Sequence, residues 1–264
     1  MTATPVDGIR ASTGAQSVAD EAETCLWHPS PNFGDRRGAV RPDMVVLHYT
    51  AMIDSKAALE RLCDQAVEVS AHYLVGRDGR CWQLVDESKR AWHAGAGHWG
   101  GRADVNSHSI GIELDNDGNS PFSEPLMTRL ERLLPGILQR WKIPCERVIG
   151  HSDMAPGRKI DPGRRFDWQR LARQGLACWP TASAADEGAS APEEAAPLGK
   201  KDDTVFREAA NRLGFPTEGP LDDLLDAFRA RFAQQARGPL SAKDIALARH
   251  LARRFPVDPA RRAT

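Results

Sequence analysis

The sequence has no run of about 18 apolar residues, so it offers no candidate for a transmembrane helix. It has no excess of either charge: 35 Lys and Arg stand against 36 Asp and Glu, a formal net charge of −1. No concentrated basic face marks its first 180 residues, so neither nucleic acid nor an anionic membrane surface is an expected partner. Cysteine is sparse and odd in number: Cys25, Cys63, Cys81, Cys145 and Cys178 contain no C-x-x-C pair. That scatter argues against a disulfide framework, and the expectation is five reduced thiols buried as small hydrophobes, none a nucleophile. Residues 1–24 lack both the positive start and the apolar core of a secretory signal, so a cytoplasmic location is expected, with action in the periplasm or at the wall left open. No internal repeat is evident.

What is present divides the 264 residues into a sizeable domain and a smaller one. Residues 1–24 read as a disordered lead. From Cys25 to Pro180, short apolar runs alternate with helical patterns, as in an α/β or mixed-sheet fold. Met44–Tyr49 and Ser109–Leu114 read as strands. His72–Val75 and Cys81–Val85 flank an Asp78-Gly79 turn and read as a hairpin, and Arg147–His151 reads as the last strand of the core. Ser55 to about Val69 and Pro125 to about Lys142 carry apolar residues at helical spacing, and Pro144 stops the second. Residues 181–203 hold almost no large apolar side chain and read as a flexible linker. Beyond them, Val205–Leu213, Leu221–Ala236 and Ser241–Phe255 read as three short helices forming a small tethered module over 204–255, with 256–264 as a tail.

The chemistry concentrates in Gly150-His151-Ser152-Asp153-Met154-Ala155-Pro156-Gly157-Arg158-Lys159-Ile160-Asp161-Pro162-Gly163. His151 and Asp161 stand ten positions apart across a Pro- and Gly-rich loop that can fold the carboxylate back toward a strand end. Far upstream, the apolar run from Met44 ends on His48 and Tyr49. One histidine at a strand end is ordinarily a satisfied core residue. Two with a carboxylate suit a catalytic zinc site, with three protein ligands and a fourth position for water. Zn2+ is therefore the expected cofactor, bound by His48, His151 and Asp161. His93 is a rival ligand, ranked below His48 because no strand end presents it. Glu113 alternates with Ile110 and Ile112 onto the other face of its strand, where it could serve as a base or simply be solvated. Lys159 could hold an oxyanion, or be an ordinary loop lysine. The Gly-rich loop from Ala91 to Ser109 holds Trp92, His93, Trp99 and Asn106. It could form a substrate wall, or be a long loop pinned by buried tryptophan.

Val69-Ser70-Ala71-His72-Tyr73-Leu74-Val75-Gly76-Arg77-Asp78-Gly79, Arg90-Ala91-Trp92-His93-Ala94-Gly95, Asn106 to Glu113, and the His151–Asp161 loop together resemble the type-2 N-acetylmuramoyl-L-alanine amidases, in particular their AmpD/AmiD group of zinc amidases. The resemblance covers about Val45 to Trp168. It implies a central mixed β-sheet flanked by helices. It also implies hydrolysis of the amide between N-acetylmuramic acid, or its anhydro form, and L-alanine, in muropeptides or peptidoglycan, during wall turnover or recycling. Carried over, it makes His48, His151 and Asp161 the zinc ligands, Glu113 the general base and Lys159 the stabiliser of the intermediate. Trp92, His93, Asn106 and Arg158 are the expected substrate-binding residues. One departure is Ala71, where some members of the wider peptidoglycan-recognition superfamily carry a catalytic Tyr; its absence puts more weight on Glu113. The helical tail resembles, by layout alone, a peptidoglycan-binding three-helix module. The competing readings are a recognition module that binds the wall without cleaving it, and a phage-type lysis amidase.

Overall fold

The structure is a computed structural model and describes residues 25–180 and 199–258. The expected lead over 1–24 lies outside these residues, as do 181–198 of the expected linker and 259–264 of the tail.

Six strands form one mixed sheet. In chain order they are β1 (Leu26–Trp27), β3 (Met44–Tyr49), β4 (Tyr73–Val75), β5 (Cys81–Gln83), β7 (Ser109–Leu114) and β8 (Val148–Gly150), and their spatial order is β1-β5-β4-β7-β3-β8. Only the β4–β5 hairpin is antiparallel; the other neighbours run parallel. β2 (Phe33–Asp35) and β6 (Lys89–Ala91) make a separate antiparallel pair. The unbroken apolar character of β3 follows from its central place, since a parallel strand covered on both faces has no solvent side.

Alternation along the strands sorts two cores. Val45, Leu47, Ile110, Ile112 and Leu114 join Leu126, Leu130, Leu134 and Ile137 of α3 (Glu124–Trp141) and Trp168 and Leu171 of α5 (Trp168–Arg173). Each fully buried leucine there contributes about 1.5–3 kcal/mol relative to exposure. The other face, with Met44, Val46 and Ile149, packs in one cluster with Phe206, Phe215, Phe228 and Leu251. These come from α6 (Lys200–Leu213), α7 (Leu221–Phe232), α8 (Ala242–Arg254) and the turn after α6. The helical module therefore shares a core with the sheet. Trp99, 2% exposed, stacks edge-on against Phe215 with ring centroids 4.9 Å apart, so this tryptophan pins its loop to the module and forms no part of a substrate wall. Arg231 of α7 forms an ion pair with Asp153 and donates to the Val148 carbonyl, with both charged side chains almost fully buried.

Several expectations need correction. α6 begins at Lys200, inside the stretch read as linker, because Asp202 and the Gly199 backbone make a capping box there. The helix read over Ser55–Val69 is α1 (Ser55–Cys63), capped by Asp54; a 3-10 turn follows at Gln65–Val67. The segment read over Arg147–His151 is strand only at Val148–Gly150, and His151 opens α4 (His151–Met154). The five cysteines are not all reduced. β1 lies beside β5 with Leu26 opposite Trp82, which sets Cys25 against Cys81 at a Cα separation of 4.5 Å, and the two form a disulfide. Cys63, Cys145 and Cys178 are free thiols.

Candidate metal centre and its groove

The parallel strands β3, β7 and β8 end at one edge of the sheet, where loops of α/β proteins gather their chemistry. His48 and Glu113 are register partners near the ends of β3 and β7. His151 follows directly on β8. Asp161 returns to this edge because Ser152 N–H donates to its carbonyl at 2.9 Å, and because residue 150 is glycine: a Cβ there would lie 2.7 Å from Pro162 Cδ.

The result is a tight triangle. His48 Nδ1 is 2.9 Å from His151 Nδ1 and 3.0 Å from Asp161 Oδ2, and His151 Nδ1 is 3.0 Å from the same oxygen. Neighbouring carbonyls decide where the protons sit. A carbonyl only accepts, so His151 Nε2–H donates to Ala94 O at 2.8 Å, which leaves Nδ1 of the neutral ring as a lone pair. The second chain is longer. Ser109 Oγ–H donates to Val105 O at 2.6 Å, so Ser109 Oγ accepts from His93 Nε2–H at 3.1 Å. His93 Nδ1 then accepts from His48 Nε2–H at 3.0 Å, and His48 Nδ1 is also a lone pair. Burial, and then the adjacent His151, lower the His48 pKa to about 4, which keeps that imidazole neutral. Burial opposes ionisation of Asp161, but the two imidazoles outweigh it and hold its carboxyl below the usual range. Three lone-pair donors, two neutral and one anionic, thus converge with no proton between them. That donor set fits a divalent cation.

Glu113 Oε2 is buried and has no hydrogen-bond partner among the described residues. Burial, then Asp161, push the Glu113 carboxyl up to about 8, with Lys159 opposing. A groove of about 510 Å³ contains the triangle, Glu113, Lys159 and Trp92, and extends to Met52, Arg61 and Val69 beside α1. Arg158 lines the same groove while tying its guanidinium to the carbonyls of Ala94 and Ala96. Of the other two expected substrate-binding residues, His93 lines the groove and Asn106 does not. His93 sits behind His48 as the link just described. Asn106, 8% exposed, uses Oδ1 to accept from His93 N–H and Ala94 N–H, and so shapes the loop backbone. Ala71 is fully buried.

A family model described as N-acetylmuramoyl-L-alanine amidase matches residues 38–164. The 1,6-anhydro-N-acetylmuramyl-L-alanine amidase AmpD of Haemophilus influenzae is 34% identical over 164 residues, which are 55% of this chain and 89% of that relative. The chain belongs to the N-acetylmuramoyl-L-alanine amidase family. The amidase AmiD of Escherichia coli is 42% identical over 158 residues, 54% of this chain; the match spans 56% of that relative's length. A solved complex of E. coli AmiD with anhydro-N-acetylmuramic acid-L-Ala-D-gamma-Glu-L-Lys superposes with a TM-score of 0.73 at 32% identity. It covers 86% of this chain and 99% of that one, more than residues 25–180 alone could supply.

Sequence reasoning missed what holds the site together. Ser109 read only as the first residue of a strand, and Arg36 not at all. Buried Arg36 donates to the carbonyls of Asn106, Ser107 and Ser109, and so fixes the segment that carries the serine. The motif places these residues near the site but carries no signal for which proton each one holds.

Proposed function

We propose that this amidase hydrolyses the amide between N-acetylmuramic acid, or its anhydro form, and the L-alanine of the stem peptide, and that it does so as a zinc enzyme. The observation that carries the zinc assignment is the convergence of His48 Nδ1, His151 Nδ1 and Asp161 Oδ2 within 2.9–3.0 Å, with the protons of both imidazoles drawn to their far sides. When bound there, Zn2+ supplies Lewis acidity, polarising an amide carbonyl and acidifying water.

The chain's own groups supply the rest. Glu113, held in the groove with no partner on Oε2 among the described residues, takes a proton from the attacking water and delivers it to the nitrogen of L-alanine as the C–N bond breaks. Its raised basicity suits both steps. Lys159, on the groove wall, brings a positive charge to the carbonyl oxygen as negative charge develops on it. The half-buried Trp92 offers an aromatic face to the sugar.

No helix among the described residues is long and apolar enough to cross a membrane. The Cys25–Cys81 disulfide favours an oxidising compartment over the cytoplasm expected from residues 1–24, and so favours action at the wall.

The test is release of free stem peptide from a purified muropeptide, followed by mass spectrometry. Protein loaded with zinc should release it, chelator-stripped protein should not, and zinc should restore release. Asp161→Ala should lose both the metal and the activity. Zinc-loaded protein that binds the muropeptide and releases nothing would establish the recognition-module reading instead.

A further inference from the structure

Away from the metal centre, a second group of ligating side chains converges. The sulfurs of Cys145 and Cys178 and a carboxylate oxygen of Glu146 all lie within 4.8 Å of one another. Cys145 opens the 3-10 turn (Cys145–Arg147) that leads into β8. Cys178 comes after α5, near the end of the 25–180 region. It is buried in the core that the sheet shares with the helical module, and the half-buried Cys145 packs against that core. The proposed chemistry uses neither sulfur.

The two edges of the six-stranded sheet are β1 and β8. The β1 edge is already fastened, since Cys25 beside β1 is bonded to Cys81 of β5. At the β8 edge two free thiols face each other. Their surroundings favour sulfur chemistry over a bound cation. A closed structural zinc site takes four protein ligands, and only three donors converge here among the described residues. Buried Arg231, which donates to the Val148 carbonyl of β8, brings a positive charge that favours the thiolate of either cysteine and opposes a cation.

The two sulfurs are unequal. A hydrogen bond from Cys178 holds the Cys145 thiol below its usual range, with burial and Glu146 opposing. The same bond, and then burial, push the Cys178 thiol up. Glu146 Oε2 lies 3.5 Å from Cys145 Sγ and accepts its S–H, a route by which the proton leaves. The half-buried sulfur is therefore the first to ionise and the one a reagent can reach, with the buried sulfur behind it.

We propose that Cys145 and Cys178 are a redox pair that closes to a second disulfide in the compartment where Cys25–Cys81 forms, with a disulfide such as oxidised glutathione as the oxidant. The Cys145 thiolate attacks one sulfur of the oxidant, which forms a mixed disulfide and expels the oxidant's other sulfur as a thiolate. Cys178 then gives up its proton, and its sulfur attacks Cys145 Sγ and expels the remaining sulfur of the oxidant. The two protein thiols lose two electrons and two protons; the oxidant takes both and ends as two thiols. Rotation about the Cα–Cβ bonds draws the sulfurs to the bond length of about 2.05 Å. The bond would fasten the segment from which the module departs to the turn that feeds β8 and His151. This inference does not depend on which reaction the metal centre performs.

The experiment equilibrates the full chain, without denaturant, in buffers of rising ratio of oxidised to reduced glutathione. Samples are quenched with acid and alkylated in urea, so that burial masks no thiol, and their peptides are read by mass spectrometry. Cys145 and Cys178 should lose alkylation together as a Cys145–Cys178 linked peptide appears. Cys178→Ala should stop the sequence at the first step, with Cys145 carrying glutathione at least about tenfold more than Cys178 does in Cys145→Ala, as their unequal thiolate character requires. Alkylation of both cysteines at every ratio, or Cys178 as the preferred partner of glutathione, overturns the proposal. So does a second zinc per chain that Cys145→Ala removes while the wild-type thiols stay reduced, since the three donors would then be a cation site.

Discussion

The two faces of the central sheet are closed in different ways. The face carrying Val45, Leu47, Ile110 and Ile112 is sealed by α3 and α5, and nearly everything it buries is apolar. The face carrying Met44, Val46, His48 and Glu113 is sealed by α6–α8 at one end and left open at the other, where β3, β7 and β8 finish. On the first face, side chains meet all their needs within the core. On the second, lone pairs and a carboxyl are held with their bonding capacity unspent, because rigid neighbours fix them in place. Both faces bury a large apolar cluster, and only the open end of the second gathers the candidate site. The helical module completes the core of the second face and lines a cavity that shares Tyr49, Lys159 and Ile160 with the groove of the candidate metal centre.

Three substitutions sharpen this comparison. The largest expected effect is at Glu113. Glu113→Gln should lower turnover by about 10²–10⁴-fold while bound zinc, measured by elemental analysis, stays stoichiometric. The same variant has a stability signature in the metal-free protein. The carboxyl titrates near 8 when folded and near 4.5 when unfolded, so the folded state binds the extra proton between those values. The contribution of Glu113 to the stability of the metal-free wild type, read as the difference between wild type and Glu113→Gln, should therefore decline as pH rises from about 4.5 to about 8, and level off above that. A difference that stays flat across this window would mean that Glu113 does not titrate there.

Next comes the joint between the module and the sheet. Arg231 and Asp153 bury their charges against each other, and Asp153 also accepts from Gly150 N–H at the start of the helix bearing His151. Arg231→Met leaves an uncompensated carboxylate and should cost about 3–5 kcal/mol in urea unfolding. The double variant Arg231→Met/Asp153→Leu should cost less than the single one, since it removes both charges. A single-variant loss below about 1 kcal/mol would mean that α7 merely rests on the sheet.

The parts of this design legible in the sequence are those carried by local pattern. Met44–Tyr49 and Ser109–Leu114 occur as strands over the residues where their apolar character begins and ends, because a fully covered parallel strand has no polar side to blur it. The three helices of the tail follow from their stripes and caps, but a stripe says only that a face is buried, not against what. Their docking onto Met44 and Val46 was therefore invisible. β1, β2 and β6 are two or three residues long, too short for any period, and exist because a distant partner pairs with them. The Cys25–Cys81 bond went unread for that reason. At the site, residue type and spacing brought out His48, His151, Asp161, Glu113 and Lys159. The distinction between a residue that faces the groove and one that faces backbone, as at Asn106, depends on rotamer, and the proton order along His93 and His48 depends on their neighbours; sequence holds neither.

Ser109 tests that last point most directly, with the smallest expected effect. Its hydroxyl is the only group on the path from the Val105 carbonyl to His48 that fixes which nitrogen of His93 carries the proton. Ser109→Ala removes an acceptor and leaves the fold of β7 untouched, since alanine fits where serine is fully buried. His93 can then place its proton on Nδ1, facing His48 Nε2. His48 must answer by moving its own proton to Nδ1, where it blocks the lone pair aimed at the metal. Zinc affinity, read by competition with a chromogenic chelator, should fall about 10–100-fold, the usual cost of losing an outer-sphere partner. Ser109→Thr, which keeps the hydroxyl, should fall less. If Ser109→Ala holds zinc as tightly as wild type, the open end of the sheet sets its proton positions by some route other than the His93 chain, and the contrast between its two faces loses its sharpest term.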